Sequence, residues 1–273
     1  MDIPLSEIAT FVAAISGAAV VAGILAGLFG IGGGAVLVPV FYQIFGLLDV
    51  DEAVRMHLSV GTSLAIIVPT SLRSWRAHYT RGAVDMSLLR SFVISVPIGV
   101  VIASITAAHL SSAGLRVIFA AVLGLLGLKL MFNHRQWHIK GDIPGNPIRG
   151  MVGFLIGYLS TLLGIGGGIL NNSFMTLFGR PIHQAVATSS GVGVLISIPG
   201  FLGYIWAGWG APGLPIGSTG FVNWIAVALV IPITLLVTPL GVRMAHALQR
   251  RHLEIGFGAF ALFVSARFAW SLL

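Results

Sequence analysis

The sequence predicts an all-α polytopic membrane protein made of two inverted-topology repeats, each with about five membrane segments. Of its 273 residues, 56% are hydrophobic and only 8% are charged, and the mean hydropathy is +0.99. Residues 8–48 and 181–242 contain no Asp, Glu, Lys or Arg. Each run is too long for a single membrane helix of about 20 residues. A cluster of four glycines in five residues occurs at Gly30–Gly34 and again at Gly164–Gly168, so each half contains several crossings and one interruption.

Hydropathy and turn residues divide the chain into ten apolar segments. They are residues 8–29, 35–48, 56–73, 88–108, 113–133, 148–163, 169–178, 184–207, 220–242 and 252–272. The segment that follows each glycine cluster is too short to cross a bilayer. We therefore expect short broken or re-entrant helices after both clusters.

The distribution of basic residues favours counting these short segments as reversals of direction. If they are treated as loops, the fifteen Lys and Arg divide nine to six between the two sides. If each short segment reverses the chain, the division is twelve to three, with Arg55, Arg116 and Arg267 on the side that has fewer basic residues. The second division fits the bias of Lys and Arg toward the cytoplasm. It predicts ten segments with both termini outside, and it explains the net charge of +7 without nucleic-acid binding.

Five segments in each half would place the second half upside down relative to the first. We expect the first repeat at residues 1–133, a cytoplasmic linker at 134–147 and the second repeat at 148–273. An odd number of segments per repeat relates the halves by a pseudo-two-fold axis in the membrane plane.

Further matches between the halves indicate internal duplication. The glycine clusters lie 134 positions apart, and His57–Ser63 matches His183–Ser189 at an offset of 126. Gly23 and Gly157 also correspond, and we assign this pair to close helix packing, as is usual for small residues in membrane bundles.

The glycine clusters are the candidate binding site. A helix that restarts after such a break presents free N–H groups and the positive end of its dipole, which suit an anion. Backbone interrupted within a bilayer must be covered by protein or by a watery cavity. The candidate ligand-binding residues are Gly32, Gly33, Gly34, Thr62, Ser63, Gly166, Gly167, Gly168, Asn171, Asn172, Thr188 and Ser189. The alternatives are that the glycines serve only close packing and that the hydroxyls bond to their own helices.

His57 and His183 begin equivalent helices and are candidates for gating or proton relay. The alternative is that each is an interfacial or capping histidine. All eight carboxylates fall in loops or at segment ends, so coupling through a buried carboxylate is not expected. The chain has no cysteine, which excludes disulfides and Cys-based metal sites, and we predict no cofactor.

The chain resembles the TauE/SafE sulfite exporter family, also described as toluene sulfonate uptake permeases. The likeness rests on Leu28–Gly34, Val60–Ser63 and Leu163–Gly168, and it extends from about Phe11 to Leu272. It implies a bacterial inner-membrane carrier of sulfite, sulfonates or other small sulfur-containing or organic anions. Two features depart from the family pattern and leave the exact substrate open. Ala187 stands where a glycine is expected, and Asn171-Asn172-Ser173 replaces an apolar run that contains proline.

The predicted function is secondary transport of a small anion by alternating access between the two repeats. A passive anion channel would share every feature described above and is the alternative. An intramembrane enzyme is not expected, because the chain lacks His-Glu-x-x-His and Ala14–Gly17 only approximates the Gly-x-Ser-Gly of intramembrane serine proteases. The predicted partners are the small anion and the lipid bilayer.

Overall fold

The computed structural model describes residues 13, 15–17, 19–24, 34–132, 142–247 and 250–272. Residues 30–33, which include Gly32 and Gly33, and most of the linker lie outside the described residues. In the described part the chain is almost entirely helical. Its elements are α1 (helical residues 15–17 and 19–24), α2 (Gly34–Leu47), α3 (Glu52–Tyr79), α4 (Met86–His109), α5 (Ser112–Phe132), α6 (Ile148–Leu162), α7 (Gly168–Leu177), α8 (Ile182–Ala207), β1 (Ser218–Thr219), β2 (Val222–Asn223), α9 (Trp224–Ala247) and α10 (Arg250–Trp270).

Acidic and amide side chains begin three of the long helices. Asp51 accepts a hydrogen bond from the N–H of Ala53 at 2.9 Å, and Asp85 accepts one from Leu88 at 3.0 Å. Asn223 does the same for the N–H of Ala226 at 2.9 Å. Such caps satisfy N–H groups that have no partner within the helix, and a carboxylate there also complements the helix dipole.

The helices identify a multi-pass membrane protein. Five of the described helices are long and apolar enough to cross a bilayer: α3, α4, α5, α8 and the first 18 residues of α9. Large apolar side chains point outward from several helices, including Ile94, Leu125 and Leu236, which are 73%, 68% and 77% exposed. In a bilayer these side chains contact lipid rather than water.

The two long helices α3 and α8 pack against each other at the centre and run antiparallel. Near the start of α3, Gly61 faces the Cβ of Tyr204 close to the end of α8. Farther along α3, the Ser71 side chain lies against Gly193, in the first half of α8. Helices α5 and α10 are also antiparallel, because Arg116 near the start of α5 donates to Ser271 just after α10.

Glycines allow the outer helices to approach closely. A Cβ on Gly157 of α6 would overlap the carbonyl oxygen of Val96 in α4, and one on Gly23 of α1 would lie 3.2 Å from the Cα of Thr234 in α9. The packing role predicted for Gly23 and Gly157 is confirmed.

Side-chain contacts sort the described loops into two ends of the bundle. At the first end, Arg180 after α7 pairs with Asp142 before α6 at 2.7 Å, and Asp85 before α4 contacts Thr188 near the start of α8. At the second end, Arg116 of α5 pairs with Glu52 at the start of α3 at 2.6 Å. We call these the Arg180 end and the Arg116 end.

The first predicted segment, 8–29, lies largely outside the described residues. From α2 onward the helix bounds match the predicted segments closely, with two exceptions. Helix α3 continues to Tyr79, so the basic and aromatic residues Arg73, Trp75 and Arg76 lie in its last two turns and not after it. A small antiparallel hairpin, β1–β2, precedes α9 where the sequence predicted the beginning of a membrane segment. Phe221 of its turn donates its N–H to the carbonyl of Tyr204 at 3.1 Å, which closes the end of α8.

Because α4 and α6 touch at backbone distance, Gly157→Ala should lower the free energy of unfolding by about 1–3 kcal/mol through overpacking. Thermal unfolding of the detergent-purified protein measures the effect. Gly114→Ala is the matched control, since its nearest neighbours would lie 3.5 Å from the new methyl group. Equal thermal stability of the two variants would contradict the close approach of α4 and α6.

Candidate functional site

The second glycine cluster forms a turn between α6 and α7. The N–H of Ile165 donates to the carbonyl of Ser160 at 2.9 Å, which closes the end of α6. Gly164 and Gly167 have φ angles of 64° and 72°, a left-handed conformation that side-chain-bearing residues rarely adopt. Residues 164–167 are all buried, so the interrupted backbone is covered by protein.

This turn lies midway along the two central helices. The Ile67 side chain lies beside Gly166, and the carbonyl of Gly166 lies against Gly193; Ile67 and Gly193 are near the midpoints of α3 and α8. The Arg180–Asp142 ion pair places the last residues of α7 at the same end of the bundle as the first residues of α6. Helices α6 and α7 therefore form a re-entrant pair whose connecting turn is deep in the bundle.

Gly34, the described residue of the first glycine cluster, packs against the second cluster. Gly34 begins α2, and a Cβ there would overlap the carbonyl oxygen of Gly164 and lie 2.7 Å from the Cα of Ile165. The Ser63 hydroxyl of α3 donates to the same Gly164 carbonyl at 2.9 Å. The structure thus brings together Gly34, Ser63 and the turn of the second cluster.

The turn and the first residues of α7 carry five consecutive N–H groups without a bonded acceptor among the described residues. They belong to Gly166–Leu170, and the next N–H, of Asn171, bonds to the carbonyl of Gly167 at 2.9 Å. Orphan N–H groups are normal at the first turn of a helix, but here they lie at the mid-depth of the bundle. With the dipole of α7 they form a region of positive electrostatic potential.

Three polar side chains at this turn form a chain of hydrogen bonds. Asn171 Nδ2 donates to Ser189 Oγ at 2.7 Å, and Ser189 Oγ donates to Asn172 Oδ1 at 2.7 Å. Asn171 is fully buried, and its Oδ1 has no partner. Ser189 fixes the orientation of the half-buried Asn172 amide, whose Nδ2 makes no hydrogen bond with a described residue.

Thr62 and Thr188 make matching hydrogen bonds at opposite ends of the bundle. Thr62 Oγ1 accepts from the N–H of Asn223, which caps α9, at 3.0 Å. Thr188 Oγ1 accepts from the N–H of Asp85, which caps α4, at 2.9 Å. We call these bonds the two threonine ties. Thr188 also donates to the carbonyl of Gln184 in its own helix at 2.8 Å.

The two histidines have different environments. His57 is 4% exposed, and its Nε2 lies 3.0 Å and 3.1 Å from the carbonyls of Ala107 and Leu110 at the end of α4. Both partners are acceptors, so Nε2 carries a proton and His57 caps α4. Its ring packs on Phe221 with 4.8 Å between centroids. His183 is exposed. A role of either residue in gating or proton relay stays a prediction.

Asp85 and Asn223 were not among the candidate residues, although each contributes to a tie. Their signal in the sequence is an Asp or Asn placed directly before an apolar run, which is typical of a helix N-cap. A cap predicts only local structure, and the contacts with Thr188 and Thr62 join residues 103 and 161 positions apart.

Interrupted helices that turn back at mid-depth in a membrane bundle are typical of polytopic transport proteins. Comparison with known proteins supports that class. The family model "Sulfite exporter TauE/SafE" matches residues 15–268, and the chain belongs to this family. The resemblance predicted from the glycine clusters is confirmed.

Three curated relatives are also named as probable membrane transporters. A "Probable membrane transporter protein" of Haemophilus influenzae is 32% identical over 246 residues, which cover 89% of this chain and 92% of that protein. A probable membrane transporter protein of Methanocaldococcus jannaschii is 30% identical over 247 residues, 86% of each chain. One of Bacillus subtilis is 28% identical over 231 residues, 78% of this chain and 80% of that protein. No solved structure matches the chain.

Thr62→Val should destabilise the protein because it leaves the buried N–H of Asn223 without its acceptor. The expected loss is about 1–3 kcal/mol of unfolding free energy, and Thr62→Ser, which keeps the hydroxyl, should lose much less. Unfolding of the purified protein by heat or denaturant compares the two variants. Indistinguishable stabilities would show that the Thr62 tie does not contribute.

Proposed function

We propose that this protein is a secondary transporter that moves a small anion across the bacterial inner membrane by alternating access. The substrates that fit best are sulfite, a sulfonate, or a related sulfur-containing or organic anion. The observation that carries the proposal is the buried turn at Gly164–Gly168, which presents unbonded N–H groups halfway along α3 and α8.

The chemistry of this turn suits an anion that must also be released. Backbone N–H groups and the dipole of α7 attract negative charge without a fixed cation. The Nδ2 of Asn172, oriented by Ser189, supplies a further donor. The carboxylates of the described residues lie in loops or near helix ends, so none lies at the turn to repel an anion. Partial charges hold an oxyanion more weakly than a paired arginine does, which favours turnover.

Gly32, Gly33 and Gly34 complete the site from the other half in this proposal. Gly34 touches the second cluster directly, Ser63 donates to its Gly164 carbonyl, and Ser189 orients Asn172 beside it. Thr62 and Thr188 join the central helices to the caps of α9 and α4. The N–H groups of Gly166, Gly167 and Gly168 and the Nδ2 of Asn172 provide the donors for the ligand, and Asn171 holds Ser189 in place by donating to its hydroxyl.

Two inverted repeats, residues 1–133 and 148–273 with the linker 134–147, would explain the packing of the bundle. The central pair α3 and α8 and the pair α5 and α10 are equivalent helices under this relation, and both pairs are antiparallel. The contact of α6 with α4 has its counterpart in α1 with α9, and the Thr188 tie has its counterpart in the Thr62 tie. These reciprocal contacts support a pseudo-two-fold axis in the membrane plane.

Alternating access would open one end of the bundle while the other stays closed. The threonine ties join a central helix of one half to a cap of the other half, one tie at each end. Breaking the Thr62 tie would free α9 at the Arg116 end. Breaking the Thr188 tie would free α4 at the Arg180 end. The mid-depth turn would then face one side of the membrane at a time.

Asn172→Asp should abolish sulfite binding at the mid-depth turn and sulfite counterflow, because a carboxylate beside the free N–H groups repels an anion. Asn146→Asp adds the same charge in an exposed loop and is the matched control. Proteoliposomes loaded with sulfite should show saturable counterflow with the wild type and the control. Unchanged counterflow by Asn172→Asp would refute the site, whereas currents at channel rates would favour a passive channel.

Single cysteines can test the orientation, since the native chain contains none. We expect a membrane-impermeant maleimide to label Ser111→Cys at the Arg116 end in intact cells. Thr80→Cys, exposed at the other end, should react only after the cells are permeabilised. The reverse labelling pattern would show that the termini face the cytoplasm.

A further inference from the structure

The geometry points to a second oxyanion-binding site, in a cavity at the Arg116 end that is separate from the mid-depth turn. The cavity has a volume of about 260 Å³ and lies where α2, α3, α5 and α10 meet. Arg55, Arg116 and Arg267, which come from three different helices, all line it. The inference goes beyond the proposed function, which requires only the mid-depth site.

Arg116 is a buried cation with an unused donor. Its side chain is 6% exposed and pairs with Glu52 at 2.6 Å. Its Nη1 donates to the carbonyl and the hydroxyl of Ser271 at 3.0 Å and 3.2 Å. The buried Nε has no hydrogen-bond partner. A buried donor on a charged group is costly to leave unbonded, so this N–H favours an acceptor in the cavity.

Arg55 brings a second guanidinium whose charge is not neutralised. Its Nε and Nη2 donate to the carbonyl of Val50 at 3.1 Å and 2.7 Å, which supplies a dipole but no negative charge. The Cζ atoms of Arg55 and Arg116 lie 5.5 Å and 5.8 Å from the centre of the Tyr42 ring. Tyr42 therefore holds two guanidinium groups at the cavity by cation–π contact.

The cavity carries an excess of positive charge. Glu52 is its one acidic lining residue among the described residues, against three arginines. Arg267 is exposed and makes no hydrogen bond or ion pair with any described residue. Guanidinium groups bind planar or tetrahedral oxyanions through paired N–H donors, and three converging cations repel one another unless an anion separates them.

The volume of the cavity suits a small ligand. A water molecule occupies about 30 Å³ in the liquid, so the cavity can hold an oxyanion such as sulfite together with some of its hydration. Its place at one end of the bundle fits a site that concentrates anions at the mouth of the transport path. A phospholipid headgroup offers the same oxyanion chemistry at this level of the membrane and is the competing source of the ligand.

Calorimetric titration of sulfite into the full-length protein in an uncharged detergent tests the site. We expect two binding events per chain, one of which is weakened roughly tenfold by Arg267→Gln and by Arg55→Gln. Arg90→Gln removes the same charge from an exposed position of α4 and should leave both events unchanged. Arg267 makes no hydrogen bond or ion pair with a described residue, so we expect the thermal stability of Arg267→Gln to equal that of the wild type.

The Asn172→Asp background separates this site from the mid-depth site. If both sites exist, Asn172→Asp retains one sulfite per chain, and adding Arg267→Gln weakens it roughly tenfold. Loss of all binding in Asn172→Asp alone would overturn the second site and leave the proposed function intact. Retained binding that Arg267→Gln does not change would also overturn it.

Nanodiscs distinguish solute from lipid. Sulfite should bind the cavity in discs of phosphatidylcholine alone, and phosphatidylglycerol should not be required. If Arg267→Gln alters the association of phosphatidylglycerol but leaves the affinity for sulfite unchanged, the cavity is a headgroup anchor and the inference fails.

Discussion

The structure depends on one constraint: backbone polar groups inside a bilayer need partners, because lipid offers none. Each unpaired group costs several kcal/mol in hydrocarbon, so an interrupted helix survives only where protein surrounds the interruption. The bundle meets this requirement by placing the turn between α6 and α7 against α2, α3 and α8. The Ser63 hydroxyl binds the carbonyl of Gly164, and Gly34 covers the same peptide from the other half. The N–H groups of Gly166–Leu170 remain without an acceptor among the described residues, and in the proposed function they bind the anion.

Sequence reasoning predicted the helices well because their boundaries are set locally. Apolar runs end at Asp, Gly and Pro, and these residues act on the backbone within a few positions of themselves. The extension of α3 past Arg73 was missed because a basic, aromatic stretch resembles a loop when only hydropathy is considered. The hairpin β1–β2 was missed because its strands have two residues each and are held by contacts of Phe221 with the ends of other helices.

In the candidate site, too, local patterns could be predicted from the sequence and contacts between distant residues could not. The glycine clusters and the Asn171–Asn172 pair were visible as patterns, and the structure places Asn171, Asn172 and Ser189 in one network. The partners of Thr62 and Thr188 could not be predicted, since no local rule relates a hydroxyl to a cap more than 100 positions away. Arg55, Arg116 and Arg267 were identified only as the minority of the cations, and their convergence on one cavity depends on the packing of α3, α5 and α10.

The two threonine ties have a consequence for energetics. Each joins two helices toward one end of the bundle with the same chemistry, a hydroxyl that accepts from a single capping amide. In a carrier of the proposed kind, exchanging one tie for the other would leave the total number of such bonds unchanged. The outward-facing and inward-facing forms would then be nearly equal in free energy. Both forms would then be well populated, so that neither orientation of the carrier would be rare during a transport cycle.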